Sequence, residues 1–165
     1  MLREKTREQR IEIASLEEEE FRQNIEELIN VYRGAYQGLE RYAYTKRRDI
    51  KNYLKWLYRS DSEVFLVAKE KDSIIGFTAG DRYWWDKNYG EISELHEFII
   101  NKKHQGRGIG RQLLNKMINK LEETHPIIGL WVGEGNSRAI RFYEKQGFKK
   151  VGQVGIWIRM IREKS

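Results

Sequence analysis

A glycine-rich segment between a predicted strand and a predicted helix has the residue types and spacing to bind an anion. It reads Gln105-Gly106-Arg107-Gly108-Ile109-Gly110-Arg111, with Lys102 and Lys103 just before it. Glycines allow a ligand to approach the backbone closely, and the free N–H groups at a helix start point at that ligand. The segment therefore predicts a cradle for a pyrophosphate, although glycines between two elements are also typical of a plain turn.

Two other kinds of phosphate-binding loop do not fit this segment. A Walker A loop needs Gly, four residues and then Gly-Lys-Ser/Thr, which the segment does not supply. A dinucleotide fingerprint needs G-x-G-x-x-G, and Arg111 stands here in the place of the third glycine. That fingerprint also normally follows the first strand of a βαβ unit, whereas this segment lies late in the chain. Both alternatives are excluded.

A second motif lies downstream, in the segment from Asn136 to Phe148, which reads N-S-R-A-I-R-F-Y-E-K-Q-G-F. It is similar to the N-x-x-A-x-x-F-Y-x-x-x-G-F pattern of the GNAT superfamily of N-acetyltransferases. The coenzyme A loop of that family reads Q/R-x-x-G-x-G/A, which Gln105, Gly108 and Gly110 match in full. The two motifs occur in the right order, separated by one predicted helix and one predicted strand. The chain resembles this family over nearly its whole length, most strongly from about Ile74 onward and least before Tyr44.

The resemblance implies roles for the matching backbone and side chains. Backbone N–H groups from Gln105 to Arg111 would hold the pyrophosphate of acetyl-coenzyme A. The strand ending Phe98-Ile99-Ile100 would pair its backbone with the pantetheine arm, and the Phe98 N–H would polarise the thioester carbonyl. Asn136 would form a hydrogen bond with the pantetheine arm.

Tyr143 has two interpretations. The resemblance implies that its hydroxyl lies near the thioester sulfur and protonates the departing thiolate. A tyrosine on a helix more commonly packs in the core, here beside Phe142. The motif around Tyr143 favours the catalytic role.

Acetyl transfer to an amine also needs a base, because an ammonium group cannot attack a thioester until it loses a proton. The predicted strand before the glycine-rich segment carries Glu91, Glu94, His96 and Glu97. The two-residue period of a strand predicts that Glu94 and His96 share the face of Phe98. It predicts that Glu91 and Glu97 take the other face.

Glu94 is the first candidate for this base. In part of the family a glutamate eleven residues before the first loop position acts as base, and counting back from Gln105 gives Glu94. His96, Glu97 and a relay through ordered water are alternatives. The carboxylates could also simply pair with Lys or Arg on a neighbouring strand.

The elements that must position these residues follow from hydrophobic periodicity. Strands are predicted over 10–14, 64–69, 74–84, 91–100, 127–132, 148–154 and 156–161. Helices are predicted from the acidic segment 17–20 to a break at Gly34 and Gly38, and over 46–59, 108–123 and 137–146. We expect an α/β (α+β) fold with helices on both faces of a mixed, mostly antiparallel, GNAT-like central sheet of about seven strands.

The acceptor pocket is expected in the segments least similar to the family. These are residues 36–44, the segment Arg82-Tyr83-Trp84-Trp85 and the turn near Gly155-Ile156-Trp157, with Asp81 and Asp86 adjacent. Aromatic faces and carboxylates would suit a cationic amine. Ordinary packing or a dimer contact would also account for these aromatic residues.

The composition limits the class of protein. A chain of 165 residues without internal repeats or linker-like tracts predicts a single domain over residues 1–165. The absence of cysteine and the three scattered histidines predict no disulfide and no metal site. The N-terminus is charged and the apolar runs are short, which predicts a cytoplasmic protein without a membrane segment.

The net charge of +6 comes from 31 Lys+Arg against 25 Asp+Glu. Such a balance suits a nucleic acid or a small polyanion. The aromatic residues do not cluster with basic residues in any RNA-binding motif, so a small anionic ligand is favoured and no nucleic-acid partner is predicted.

We therefore predict an acyltransferase that moves an acetyl group from acetyl-coenzyme A directly to an amine through a tetrahedral intermediate. The acceptor is a small-molecule or protein amine, the cofactor requirement is acetyl-coenzyme A without metal, and a homodimer is possible. The alternatives are a non-catalytic acyl-coenzyme A-binding or regulatory domain of the same fold, and a nucleic-acid-binding protein with a basic face.

Overall fold

The computed structural model of the chain describes residues 10–165, and the charged segment 1–7 lies outside them. The strands are β1 (Ile11–Ser15), β2 (Phe65–Glu70), β3 (Ser73–Asp86), β4 (Gly90–Ile100), β5 (Ile127–Gly133), β6 (Lys149–Val154) and β7 (Trp157–Glu163). The helices are α1 (Glu18–Gln23), α2 (Ile25–Ala35), α3 (Arg47–Ser60), α4 (Ile109–Glu122) and α5 (Ser137–Lys145). Across the described residues, no helix combines the length and the apolar character needed to cross a membrane.

The seven strands form one sheet in the order β1-β2-β3-β4-β5-β7-β6. All neighbouring strands are antiparallel except β4 and β5, which are parallel. The predicted mixed, mostly antiparallel sheet is confirmed. The ladder between β4 and β5 joins Ser93–Leu95 to Ile128–Leu130, although both strands continue beyond it. The two strands therefore diverge after Leu95 and open a gap within the sheet.

Helices cover both faces of the sheet, because each presents an apolar stripe that must be buried. On one face, α4 and α5 pack through the apolar side chains Leu113, Leu114, Met117, Ile118, Leu121, Ile140 and Tyr143. On the other face, α2 and α3 pack through Leu28, Ile29, Tyr32, Ile50, Leu54 and Leu57. The gap between β4 and β5 thus lies between two helical layers.

The first predicted helix is divided. Asn24 separates α1 from α2, and its side-chain amide donates a 2.7 Å hydrogen bond to the Glu20 carbonyl oxygen. A short polar side chain that bonds the nearby backbone competes with regular helical pairing. The predicted break at Gly34 is wrong, since Gly34 lies inside α2 and the helix ends at Ala35.

A β-bulge in β4 overturns the predicted alternation of faces. The pairing with β3 steps from Glu97 to Leu95, which leaves His96 as an extra residue. As a result, His96 and Glu97 both contact aromatic side chains of α3. Phe98 instead packs on the face covered by α4. The bulge therefore turns Glu97 to the side predicted for His96, and Phe98 to the opposite side.

Candidate active site

A cavity of about 1280 Å³ occupies the gap where β4 and β5 diverge. The starts of α4 and α5 line it from one helical layer, and the segment between α2 and α3 lines it from the other. The predicted site residues in its wall are Phe98, Ile99, Ile100, Gln105, Gly106, Gly108, Gly110, Arg111, Asn136 and Tyr143. The fold thus brings both sequence motifs to one cavity.

The glycine-rich segment forms a concave turn at the start of α4. Gly106 and Gly108 have φ angles of 84° and 79°, a conformation that side chains with a Cβ rarely adopt. Gly108 is the N-cap of α4, and a Cβ built on it would meet open space. Backbone N–H groups at this helix start therefore face room for a ligand, with Lys102 and Arg111 also in the cavity wall. These groups fit a pyrophosphate.

Two predicted binding residues turn their side chains away from the cavity. The Arg107 guanidinium forms an ion pair with Glu70, with a 2.7 Å contact from Nη2 to Oε2. The Ile109 side chain is buried in the core beneath α4. In both residues the side chain holds the turn in place, so that a ligand could use the backbone alone.

Glu97 lies in the cavity wall and is 8% exposed. Its carboxylate accepts hydrogen bonds from the hydroxyls of Tyr36, at 2.6 Å, and Tyr53, at 2.8 Å. Burial raises the pKa of Glu97 to about 7, while the two tyrosine hydroxyls and the Phe98 N–H partly offset that effect. A carboxyl group with this pKa can gain and lose a proton near neutral pH.

Tyr143 is a core residue that also lies in the cavity wall. Its ring packs in the core against Phe98 and Phe148, with centroid distances of 6.3 Å and 5.8 Å, and it also lines the cavity. Burial, followed by the negative charge of Glu97, raises the pKa of the Tyr143 hydroxyl. The hydroxyl therefore keeps its proton at neutral pH and is close enough to Glu97 to sense its charge.

Glu94 forms an ion pair with an arginine of another strand, which was the alternative to its role as a base. It is 2% exposed, and both carboxylate oxygens contact the Arg159 guanidinium of β7, one of them at 2.9 Å. Arg159 also binds Asp86 at 2.8 Å. Glu94 thus belongs to a buried charge cluster outside the cavity wall, whereas Glu97 belongs to the wall itself.

Replacing Glu94 with glutamine is expected to lower the free energy of unfolding by about 3 kcal/mol. The change leaves the buried Arg159 with one carboxylate, Asp86, and breaking a buried pair costs about 3–5 kcal/mol when no partner remains. Urea denaturation measures the loss, with Glu91→Gln, an exposed glutamate of the same strand, as control. If catalysis fell about 100-fold at unchanged stability, Glu94 would instead be the base.

His96 is a weaker candidate for proton transfer. Its ring contacts Trp56 and Trp84, with centroid distances of 5.0 Å and 4.5 Å. Within residues 10–165 its Nε2 is buried without a hydrogen-bond partner. Burial, followed by the positive charge of Arg159, lowers the pKa of His96 to about 4. His96 is therefore neutral at physiological pH.

The expected acceptor wall is formed by some of its predicted segments. Tyr36, Tyr42, Tyr44 and Trp157 line the cavity. The segment Arg82-Tyr83-Trp84-Trp85 lies outside this lining. Its Arg82 side chain forms ion pairs with Asp61 and Glu63. Of the two adjacent carboxylates, Asp86 binds Arg159 and Asp81 accepts the Tyr83 N–H at 2.9 Å. Neither aspartate contributes negative charge to the wall.

No local sequence pattern predicts the polar role of Tyr53. Its place in the apolar stripe of α3 predicts a core residue, and its hydroxyl reaches Glu97 across 44 positions of sequence. Tyr36 reaches the same carboxylate across 61 positions. The stripe correctly indicates which way Tyr53 points, but no local pattern indicates its polar partner.

The fold and the two motifs place the chain among acyltransferases. A family model described as the acetyltransferase (GNAT) family matches residues 23–148. The chain belongs to this family, as the sequence motifs predicted.

A curated relative agrees with this membership, and two solved structures share the fold. An uncharacterized N-acetyltransferase of Archaeoglobus fulgidus is 37% identical over 129 residues, which cover 77% of this chain and 88% of the relative. A crystal structure from Pyrococcus horikoshii OT3 has 43% identity and a TM-score of 0.87, covering 94% of this chain and 99% of that one. The PaiA N-acetyltransferase of Thermoplasma acidophilum, solved in complex with coenzyme A, has 24% identity and a TM-score of 0.71, covering 93% and 99% of the two chains. At 24% identity, the similarity to the PaiA structure shows a shared fold and nothing more.

Proposed function

We propose that this chain is an acetyl-coenzyme A-dependent N-acetyltransferase that transfers the acetyl group directly to an amine. The observation that carries the proposal is a single cavity between β4 and β5 that holds an anion cradle, a buried carboxyl group with a pKa near 7 and a protonated tyrosine. In this reaction the cradle would bind the donor, the proton acceptor would uncharge the amine, and the proton donor would assist departure of the thiolate.

Acetyl-coenzyme A supplies the acetyl group as a thioester. The N–H groups at the start of α4 would hold its pyrophosphate, with Lys102 and Arg111 adding positive charge. Beyond Leu95 the β4 edge that faces β5 has left the ladder, so the backbone from Phe98 to Ile100 is free to pair with the pantetheine arm. Asn136, at the N-cap of α5, lies in the same wall.

Glu97 is the proposed base in place of Glu94. Its carboxylate would take a proton from the acceptor ammonium, directly or through a water molecule, and leave an uncharged amine that can attack. The amine nitrogen would attack the thioester carbonyl carbon and form a tetrahedral intermediate with a new C–N bond. The nitrogen then loses its second proton to solvent, the C–S bond breaks, and the amide and the coenzyme A thiolate are released. The Phe98 N–H, which also stabilises the Glu97 carboxylate, would polarise the thioester carbonyl. A carboxylate oxygen of Glu97 and the thioester oxygen would then share this one N–H donor.

Tyr143 is the proposed acid. Replacing it with phenylalanine is expected to lower kcat about 10–10³-fold, at or below the usual range for general acid–base catalysis. A coenzyme A thiol has a pKa of roughly 8.5, taking cysteine as the model, so its thiolate can also leave without a proton. The ring packing against Phe98 and Phe148 is retained. Stability and acetyl-coenzyme A affinity should therefore change little, as measured by thermal unfolding and calorimetry.

Tyr58→Phe is the matched control, because Tyr58 is buried and donates its hydroxyl to the Leu16 carbonyl oxygen away from the cavity. It should lose stability and keep its rate. With an aryl thioester, whose thiol is more acidic, the Tyr143→Phe loss should shrink. An equal loss with both donors would mean that Tyr143 positions the donor and does not protonate it.

Release of free thiol with a panel of amines tests the function as a whole. Turnover with any amine supports an acetyltransferase. Tight acetyl-coenzyme A binding without turnover across the panel would support the alternative, a non-catalytic acyl-coenzyme A-binding domain of the same fold.

A further inference from the structure

The charge of the cavity wall is unusual for a site that must accept an amine. Among the described residues that form the wall, Glu97 is the one carboxylate. Four cationic side chains line the same cavity, namely Arg41, Lys102, Arg111 and Arg138. A substrate with several ammonium groups would find one negative partner here and several positive neighbours.

Two of the four cations lie where the donor is proposed to bind. Arg111 ends the glycine-rich segment, and Arg138 lies in the first turn of α5. Phosphate groups beside these two helix starts would require positive charge. Lys102 precedes the glycine-rich segment, but its ammonium donates a hydrogen bond to the Gln37 carbonyl oxygen, in the segment between α2 and α3. Arg41 lies in that same segment, on the opposite face of the sheet.

Arg41 is held at the rim by its neighbour Tyr42. The Tyr42 hydroxyl accepts the Gly135 N–H at 2.9 Å, and its ring lies 5.6 Å from that of Trp157. A Cβ on Gly133 would lie 2.4 Å from the Tyr42 ring, so this close approach requires glycine. The Arg41 guanidinium stacks on the Tyr42 ring at 5.4 Å, and within residues 10–165 no carboxylate pairs with it.

Aromatic rings line the same side of the cavity as Arg41 and Glu97. Tyr44 and Tyr53 are 5.1 Å apart between centroids, and Tyr32 and Tyr36 are 4.8 Å apart. All four line the cavity. Their rings provide an apolar surface and a favourable environment for one ammonium group near Glu97.

We propose that the acceptor is an amine with an apolar body and an anionic group at its far end, which Arg41 binds while Glu97 receives the amine. The inference rests on the proposed acetyl transfer and narrows its substrate class. Polyamines and aminoglycoside-like polycations are disfavoured, because their second ammonium would lie against Arg41.

The test compares amines that differ at one end. Butyl, hexyl and octyl chains with one terminal amine are assayed with a methyl group, an ammonium or a carboxylate at the other end. At the best chain length, kcat/KM should be highest for the carboxylate and roughly tenfold or more lower for the ammonium, since like charges a few ångströms apart repel by this order. Arg41→Glu should reverse the order, and Arg59→Glu, an exposed site on α3, should keep it.

Binding of the same amines to the protein saturated with coenzyme A, measured by calorimetry, separates the two proposals. If no amine turns over but binding keeps the carboxylate-first order, the acetyl transfer is wrong, whereas the class of ligand that Arg41 and Glu97 bind stands. If diamines bind or react as well as the amino acids at every chain length, or if Arg41→Glu leaves the order unchanged, the acceptor class is overturned.

Discussion

Replacing Glu97 with glutamine is expected to lower kcat/KM for acetyl transfer by about 10²–10⁴-fold, the usual contribution of a general base. Glutamine has the same shape, and its side-chain oxygen can still accept a hydrogen bond from Tyr36 or Tyr53. It cannot take up a proton from the acceptor ammonium. Acetyl-coenzyme A affinity should therefore remain close to that of the wild type in calorimetric titration.

The pH dependence gives the Glu97 variant a second readout. With a pKa of about 7, the wild-type kcat/KM should rise with pH through neutrality as the carboxyl group ionises, and the glutamine variant should lack this limb. His96, with its pKa lowered to about 4, stays neutral over this range and produces no such limb. The profile therefore distinguishes the two side chains.

The free energy of unfolding should change with pH in the direction opposite to kcat/KM. The folded chain holds the Glu97 proton up to about pH 7, whereas an unfolded glutamate loses it near 4.5. Between these values the native state binds more protons, so the free energy of unfolding falls as pH rises. The glutamine variant should lack this loss and, relative to wild type, gain stability from pH 4.5 to 7 in urea denaturation.

Glu91→Gln is the matched control, because Glu91 lies on the same strand and is exposed. Its kcat/KM and the limb near neutrality should stay as in the wild type. If Glu97→Gln kept both the wild-type rate and the limb, the proton would be taken by another group, and Glu97 would only position Tyr36 and Tyr53.

Replacing Gly108 with valine is expected to weaken acetyl-coenzyme A binding by about 100-fold or more. Valine cannot easily adopt the φ of 79°, so the turn must change, and the side chain enters the space proposed for the pyrophosphate. Loss of even two hydrogen bonds to a charged group, at about 1.5–3 kcal/mol each, accounts for this magnitude. Calorimetric titration measures it directly.

Gly90→Val separates ligand binding from backbone strain. Gly90 has a φ of 75° at the first position of β4, away from the cavity. Both variants should lose about 1–3 kcal/mol of stability from strain. Gly90→Val should retain the wild-type affinity for acetyl-coenzyme A. If a folded Gly108→Val protein also retained this affinity, the proposal that the glycine-rich segment binds the pyrophosphate would be wrong.

Local patterns were sufficient to predict most of the elements and the glycine-rich turn at the start of α4. The stripe of α4 and the glycines before it are visible within twenty consecutive positions, because helix periodicity and turn chemistry are short-range properties. The predicted strand boundaries lie close to the observed ones for the same reason. Asn24 divides the first helix through a side-chain bond to Glu20, which a hydrophobic pattern does not report.

The chemistry of β4 depends on partners that are distant in sequence. Counting from the motif favours Glu94, but Arg159, which is 65 positions away, binds that carboxylate in the core. The bulge at His96 depends on the register with β3 and redirects Glu97 toward Tyr36 and Tyr53. Such long-range contacts have no local signature, so the sequence could name the candidate bases but could not indicate the partners that surround each of them.

The short ladder between β4 and β5 has a consequence for the cooperativity of unfolding. Within the sheet, three residue pairs and the Arg159 cluster join the two parts at this point, while the core beneath α4 joins them on one face. We expect the part made of β5, β7, β6 and α5 to open as a separate foldon when that core loosens. A donor lying in the gap would touch the cradle on one side and Asn136 and Tyr143 on the other. Its binding free energy would then couple the two foldons, so that the liganded chain unfolds as one unit.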